Sequence, residues 1–233
     1  DALGIPRAYG SYEALAADPD VHVVHNTTPN YLHVPVVMAA LTHRKHVVSD
    51  KPLALTPEDA RSLWNAAREA GVVHAVTFNY RGNPLVQHAR EMVAAGELGE
   101  PHLVHGAYLQ DWLLQPTDFS WRLEPEKGGK SSASGDIGSH WCDLVQHVIG
   151  RRIETVLADL STVVTTRFKP AKSAEAFAHL RQGSGGQAQA SQHGEPFDVK
   201  SEDLATVLVR FAGGARGSVS VGQVCAGHKN DLW

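Results

Sequence analysis

Short β-branched runs alternate with amphipathic stretches of about 10–16 residues through the first hundred positions, and that alternation leaves few folds open. Val21–Val24, Lys45–Val48 and residues 72–78 read as strands. Between the first two, Leu32, Val36, Val37, Ala40 and Leu41 recur at helical spacing. A second helix opens with Thr56 as N-cap, Pro57 at its first position and Asp59 in its first turn. Its apolar side carries Ala60, Leu63, Trp64 and Ala67, and Gly71 ends it. A third starts at Asn83-Pro84 and runs to Gly96. Strands separated by helices of this length form βαβ units on a parallel sheet, whose ligands bind at the carboxyl ends of the strands. Three polar clusters fall at those ends: Asn26–Asn30, Asp50-Lys51 and Asn79-Tyr80-Arg81.

After about residue 100 the pattern changes. "PHLVHGAYLQ" alternates like a strand, a helix follows near 136–149, and residues 153–166, 204–211 and 216–225 read as further strands. Few helices separate them, which predicts an antiparallel sheet with one inserted helix. The expected fold class is therefore α/β. Residues 1–100 are expected to carry the parallel sheet, and 101–233 a mostly antiparallel one with a single inserted helix. Residues 183–196, "GSGGQAQASQHGEP", read as a flexible loop. Their glycines do not follow a strand and open a helix, so they do not form a phosphate cradle.

Composition removes several classes. A formal net charge of -4 argues against nucleic acid as a partner. Two cysteines, Cys142 and Cys225, without a CxxC pair indicate neither a disulfide framework nor a zinc knuckle, and fit a reducing, cytoplasmic setting. No apolar run approaches the ~18 residues of a membrane span. The chain begins at Asp1 and stops after a strand-like run, which reads as an internal piece of a longer protein.

Two places carry chemistry. Lys51 stands at a strand end beside Asp50 and before Pro52, whose ring fixes φ. It is either a surface lysine or an ammonium held at a ligand cleft, where it can steady a developing alkoxide. In "GDIGSHWCDLVQH", Asp136, His140, Asp143 and His147 share one helical stripe, opposite Ile137, Trp141, Leu144, Val145 and Val148. The polar stripe faces either solvent or a cleft. His and Asp one turn apart can chelate, but no further ligands follow at familiar spacing, so no metal is expected. Gly128, Gly129 and Gly135 suggest a loop that admits close backbone approach to a ligand. His22, His25, His74, His102 and His105 lie in strand runs, where satisfied structural roles are expected.

Six segments in order, "TTPNYLH", "DKPLALT", "GVVHAVTFNYR", "AAGELGEPHLV", "WRLEPEKGGKSSASGDIGSHWCDL" and "GGARGSVSV", resemble the Gfo/Idh/MocA oxidoreductases of sugars and cyclitols. The resemblance implies that residues 1–100 are the C-terminal part of a Rossmann domain that binds NAD or NADP, and that 101–233 are a substrate-binding α/β domain whose large, mostly antiparallel open sheet builds a homo-oligomer. Its Glu-Lys-Pro motif corresponds to Asp50-Lys51-Pro52, with the acid one methylene shorter, and its Asp-x-x-x-His pair to Asp136 and His140. These imply Lys51, Asp136 and His140 as catalytic. Thr28, Pro29, Asn30, His33, Asp50, Lys51, Asn79, Trp121 and Arg122 are implied on the cofactor side. Asp143 is a weaker pocket candidate, and His147 reads as structural. The family's glycine-rich phosphate loop would lie before Asp1. The implied substrate is a sugar or cyclitol, with no membrane partner. A nucleotide-binding regulator and, less favoured, a metal-dependent hydrolase remain the alternatives.

Overall fold

A computed structural model describes residues 4–170, 194–227 and 229–232. The chain divides into two units, Asp1–Phe78 and Asn79–Trp233, each with its own core.

In the first unit, α1 (Tyr12–Ala17) precedes β1 (Val23–Asn26), α2 (Asn30–Thr42), β2 (His46–Ser49), α3 (Pro57–Ala70) and β3 (His74–Val76). The strands pair in parallel in the order β1-β2-β3. Val24, Val47, Val36, Val37, Ala40, Leu41, Leu63 and Ala67 close the core between the sheet and its helices. The first strand starts two residues later than its β-branched run, because Val21 N–H donates to Asp18 O in the turn after α1. Trp64, expected on the apolar side of α3, is 47% exposed, with the Arg68 guanidinium 4.7 Å above its ring.

The second unit opens with a 3₁₀ turn, Asn79–Gly82, followed by α4 (Pro84–Ala94), β4 (Leu103–Leu109), a 3₁₀ turn at Trp121–Leu123 and α5 (Pro125–Gly128). A π-turn, Ser134–Gly138, runs into α6 (Ser139–Ile149). The strands β5 (Ile153–Ser161), β6 (Thr166–Lys169), β7 (Glu195–Asp198), β8 (Leu204–Phe211), β9 (Arg216–Gly222) and β10 (Lys229–Leu232) complete the unit. The main sheet has the order β10-β4-β9-β8-β5. Its β4–β9 pair is parallel and the rest antiparallel. Ile137, Trp141, Val145 and Ile149 pack with Val104, Ala205, Val209, Val219 and Val221 of the sheet. Val148 packs against this core half-buried, as expected, whereas Ile149 joins it in place of the half-buried Leu144. Gly106 makes room for the indole, since a Cβ there would lie 2.3 Å from Trp141 Nε1.

The run 153–166 is two strands rather than one. Asp203 accepts from Val163 N–H (2.7 Å) and Val164 N–H (2.9 Å), which turns the chain away before β6 pairs with β7. The expected loop at 183–196 falls outside the described residues as far as 193, and Glu195 and Pro196 already belong to β7. The five strand histidines are exposed rather than packed, with His105 Nδ1 2.9 Å from Ser218 Oγ.

Candidate functional site

In the first unit, the carboxyl ends of the strands are tied into one polar platform. Asn26 ends β1 fully buried, and its side chain donates to Ser49 Oγ (3.2 Å) and to His33 O (3.4 Å). Its Oδ1 accepts from the backbone and hydroxyl of Thr28 (3.2 and 2.7 Å), which sets the turn that leads through Pro29 to Asn30 at the start of α2. His33 is 0% exposed, with Nδ1 2.6 Å from Pro52 O and Nε2 2.8 Å from Thr28 O. Its ring therefore clamps the Thr28 turn to the Lys51-Pro52 turn from beneath. Asp50 Oδ1 accepts from Lys51 N–H and from Thr77 Oγ1, both at 2.8 Å, and so joins the ends of β2 and β3. Lys51 is half-buried, and its peptide bond to Pro52 is cis.

In the second unit, the site is built on the π-turn and the first turn of α6. A π-turn inserts one residue into the helical ladder, a feature frequent at functional sites. Glu202 Oε1 holds its approach by accepting from Ser131 Oγ (2.9 Å), Ser132 N–H (3.2 Å) and Ser134 N–H (2.8 Å). Asp136 follows, with Arg122 Nε 3.7 Å from Oδ1 and the Gln223 amide donating to Oδ2 at 3.1 Å. One helical turn on, the His140 ring meets the Tyr80 ring edge-on at 5.0 Å. The Tyr80 and Tyr108 hydroxyls are 2.8 Å apart, and Asn230 donates to Tyr80 Oη at 3.1 Å. Burial, then the bond to Tyr80, holds the Tyr108 phenol above its ordinary pKa, so it stays neutral.

The lower half of the predicted stripe has another task. Asp143 takes both forks of Arg81, one at 2.7 Å, and fastens α6 to the Asn79–Gly82 turn. His147 Nε2 lies 3.3 Å from the Gln87 amide of α4. Burial, then Arg81 and Arg90, lowers its pKa, which keeps the ring neutral. The glycines near 128 approach protein rather than ligand. A Cβ on Gly128 would lie 1.9 Å from Arg122 O, and one on Gly135 3.1 Å from Ser131 Oγ.

Asn79 stands exposed at the start of its turn. Arg122 stacks over Trp121 at 4.6 Å and reaches Trp112 at 5.8 Å. Arg122 Nη1 and Trp112 Nε1 are buried without a hydrogen-bond partner. Such orphaned donors beside a carboxylate suit a ligand rich in hydroxyl or carbonyl acceptors, as a sugar or a nicotinamide nucleotide is. Among the described residues, no group of three or more His, Cys, Asp or Glu is arranged to hold a metal. No helix among them is long and apolar enough to cross a membrane. Asn26 lies in the polar cluster read at the end of the first strand, whereas Ser132, Glu202 and Gln223, which orient the second unit's residues, were not predicted. Nothing in the sequence around them marks them out, and only the fold brings them to the site.

Residues 86–233 match the GFO/IDH/MocA C-terminal domain, and residues 1–78 match the oxidoreductase family with NAD-binding Rossmann fold. Levoglucosan dehydrogenase from Pseudarthrobacter phenanthrenivorans is 35% identical over 98% of this chain and 56% of its own length. D-xylose 1-dehydrogenase (NADP(+)) 2 from Haloferax volcanii is 43% identical over 60% of this chain and 42% of its own. The solved structure of levoglucosan dehydrogenase in complex with NADH and L-sorbose superposes with a TM-score of 0.85 at 32% identity. It covers 99% of this chain and 56% of the other. The chain spans about half the length of the curated relatives it matches. A parallel-stranded unit with a polar carboxyl edge, followed by a helix that presents an aspartate and a histidine one turn apart, thus agrees with both matches: the chain belongs to the Gfo/Idh/MocA family of NAD-binding oxidoreductases.

Proposed function

We propose that the protein is an NAD(P)-dependent dehydrogenase that oxidises a secondary hydroxyl of a sugar or cyclitol, or reduces the matching ketone. The observation that carries this reading is the Asp136–His140 pair, with the aspartate held by Arg122 and Gln223 and two unpartnered buried donors beside it. Names of relatives add support for a carbohydrate, since levoglucosan and xylose dehydrogenases are among them.

On the cofactor side we assign Thr28, Pro29, Asn30, Asp50 and Lys51 from the first unit, with His33 acting through the loops it clamps. From the second we assign Asn79, Trp121 and Arg122. The nicotinamide, when bound, accepts or returns the hydride. His140 takes the hydroxyl proton as general base. Lys51 donates a hydrogen bond to the reacting oxygen and stabilises its growing negative charge. Asp136, carried one turn before His140, holds a substrate hydroxyl or orients the imidazole. We also propose that the face of the second unit's sheet opposite α6 pairs with a second copy of the chain, and that the protein works in a reducing cytoplasm.

The test uses the longest natural polypeptide that carries this chain. NADH and NADPH are titrated by fluorescence, and turnover is measured on a panel of sugars, anhydrosugars and cyclitols. Lys51→Met is expected to lower kcat by about 10²-fold or more, and His140→Asn similarly, with the melting temperature unchanged in both and nucleotide affinity unchanged in His140→Asn. Nucleotide binding with no turnover of any polyol would favour a regulator, and turnover unchanged in Lys51→Met would remove the lysine from the chemistry.

A further inference from the structure

Gln223, just after β9, is 0% exposed, and every polar group it owns is engaged. Its N–H donates to Asp203 O at 2.9 Å, and its carbonyl accepts from Leu113 N–H at 3.0 Å. Its side-chain Oε1 receives the Ser132 hydroxyl at 2.9 Å, and its Nε2 donates to Asp136 Oδ2 at 3.1 Å. The amide has one acceptable orientation. Turned over, it would press its carbonyl oxygen against a carboxylate that can only accept, in a place closed to water.

The same frame holds the main chain around that carboxylate. Glu202 fixes Ser131, Ser132 and Ser134, and Ser132 O accepts from Asp136 N–H at 2.8 Å. Residues 202–203, which lead into β8, and residue 223, which follows β9, therefore form one hydrogen-bonded support behind the π-turn.

We infer that Gln223 is a positioning residue: its buried amide, oriented by Ser132, aims the Asp136 carboxylate and so sets the geometry of the Asp136–His140 pair. This rests on the reading of Asp136 as part of a dehydrogenase site. The two Asp136 oxygens go to different partners, Oδ1 toward Arg122 and Oδ2 to Gln223, which fixes the plane of the carboxylate as well as its place. A misplacement near 1 Å at such a group is worth on the order of 10²-fold in rate.

The experiment compares wild type, Gln223→Leu and Gln223→Glu in the longest natural polypeptide that carries this chain. It reads the side-chain amide spectrum, kcat and KM. In wild type, one glutamine NH₂ pair should be exchange-protected and shifted downfield, and should move in Asp136→Asn. Gln223→Leu should lower kcat by about 10- to 10²-fold, with nucleotide KM within about two-fold. Gln223→Glu keeps the shape but sets a second carboxylate against Asp136, so its loss relative to wild type at the same pH should shrink as pH falls and the new carboxyl gains a proton to donate. The titratable and charged groups around that position are Asp136, Arg122, His140, Tyr108 and, through Ser132, Glu202. Because Gln223→Glu is isosteric, it keeps the test open if Gln223→Leu fails to fold. Wild-type kcat in Gln223→Leu, or a loss in Gln223→Glu that is the same at every pH, overturns the inference. Failure of the dehydrogenase reading has a separate mark: wild type turns over no polyol, and the amide signature still decides the contact.

Discussion

Glu124 sits between two lysines, with Lys127 Nζ 2.9 Å from one carboxylate oxygen and Lys169 Nζ 2.7 Å from the other. It ties α5 to β6, and α5 brings Gly128 against the backbone of Arg122, so the pair of bonds supports the loop that presents that guanidinium. Burial pushes the Glu124 carboxyl upward, but the bonds to Lys169 and Lys127 outweigh it and hold it below the ordinary carboxylate range. A folded-state pKa below the unfolded one adds stability that is present above the unfolded value and lost as pH falls through the folded value. Glu124→Gln should therefore be less stable than wild type at neutral pH, with the gap closing between about pH 5 and pH 3. Both ammonium groups are more than 40% exposed, so salt should narrow the gap too. Urea midpoints across that range decide the matter, and a gap that stays constant with pH removes the coupling.

At the scale of elements, α3 shows a helix whose ends were legible in full. Thr56 Oγ1 accepts from Asp59 N–H at 3.1 Å and donates to Asp59 Oδ2 at 2.7 Å, Pro57 opens the helix, and Gly71 closes it at φ 65°. Thr56→Ala should cost about 1 kcal/mol, read as a shift in denaturation midpoint with unchanged m-value. A midpoint that does not move would show that packing of Leu63 and Ala67 alone holds the first turn. Signals of this kind are local, and a linear sequence displays local signals directly. The Asp136–His140 pair was visible because helical spacing puts both on one face. The break at Thr162–Thr165 was not, because it depends on Asp203, some forty residues away, capturing two backbone amides. Trp64 misled for a related reason: the spacing marks a stripe on α3 but not how wide a stripe the sheet can cover. Glu202 and Gln223 left no signal, since a glutamate before a strand and a glutamine after one are ordinary until the sheet places them behind Asp136.

For the molecule as a whole, the second unit leaves the most to explain. Its five-stranded sheet has α6 on one face, whereas the register of β5, β8, β9 and β4 lines up Leu157, Leu208, Ser218 and His105 across the other. Leu157 is 70% exposed, Leu208 51%, and Leu103, further along β4, 67%. Leucines this exposed among the described residues of one sheet face are suited to burial against a second copy, since a symmetric pair can cover each set with its twin. Covering leucines of this exposure is worth about 1–2 kcal/mol each, counted once on each copy. Placing Lys at both positions, Leu157→Lys with Leu208→Lys, should leave the circular dichroism spectrum unchanged, because neither side chain belongs to the core under α6. It should also reduce the mass measured by analytical ultracentrifugation to that of one chain, since two ammonium groups would then face two more across a desolvated seam. A wild-type protein that sediments as a monomer at tens of micromolar, or a double variant that still associates, would place the copies elsewhere and leave the stripe for a different partner.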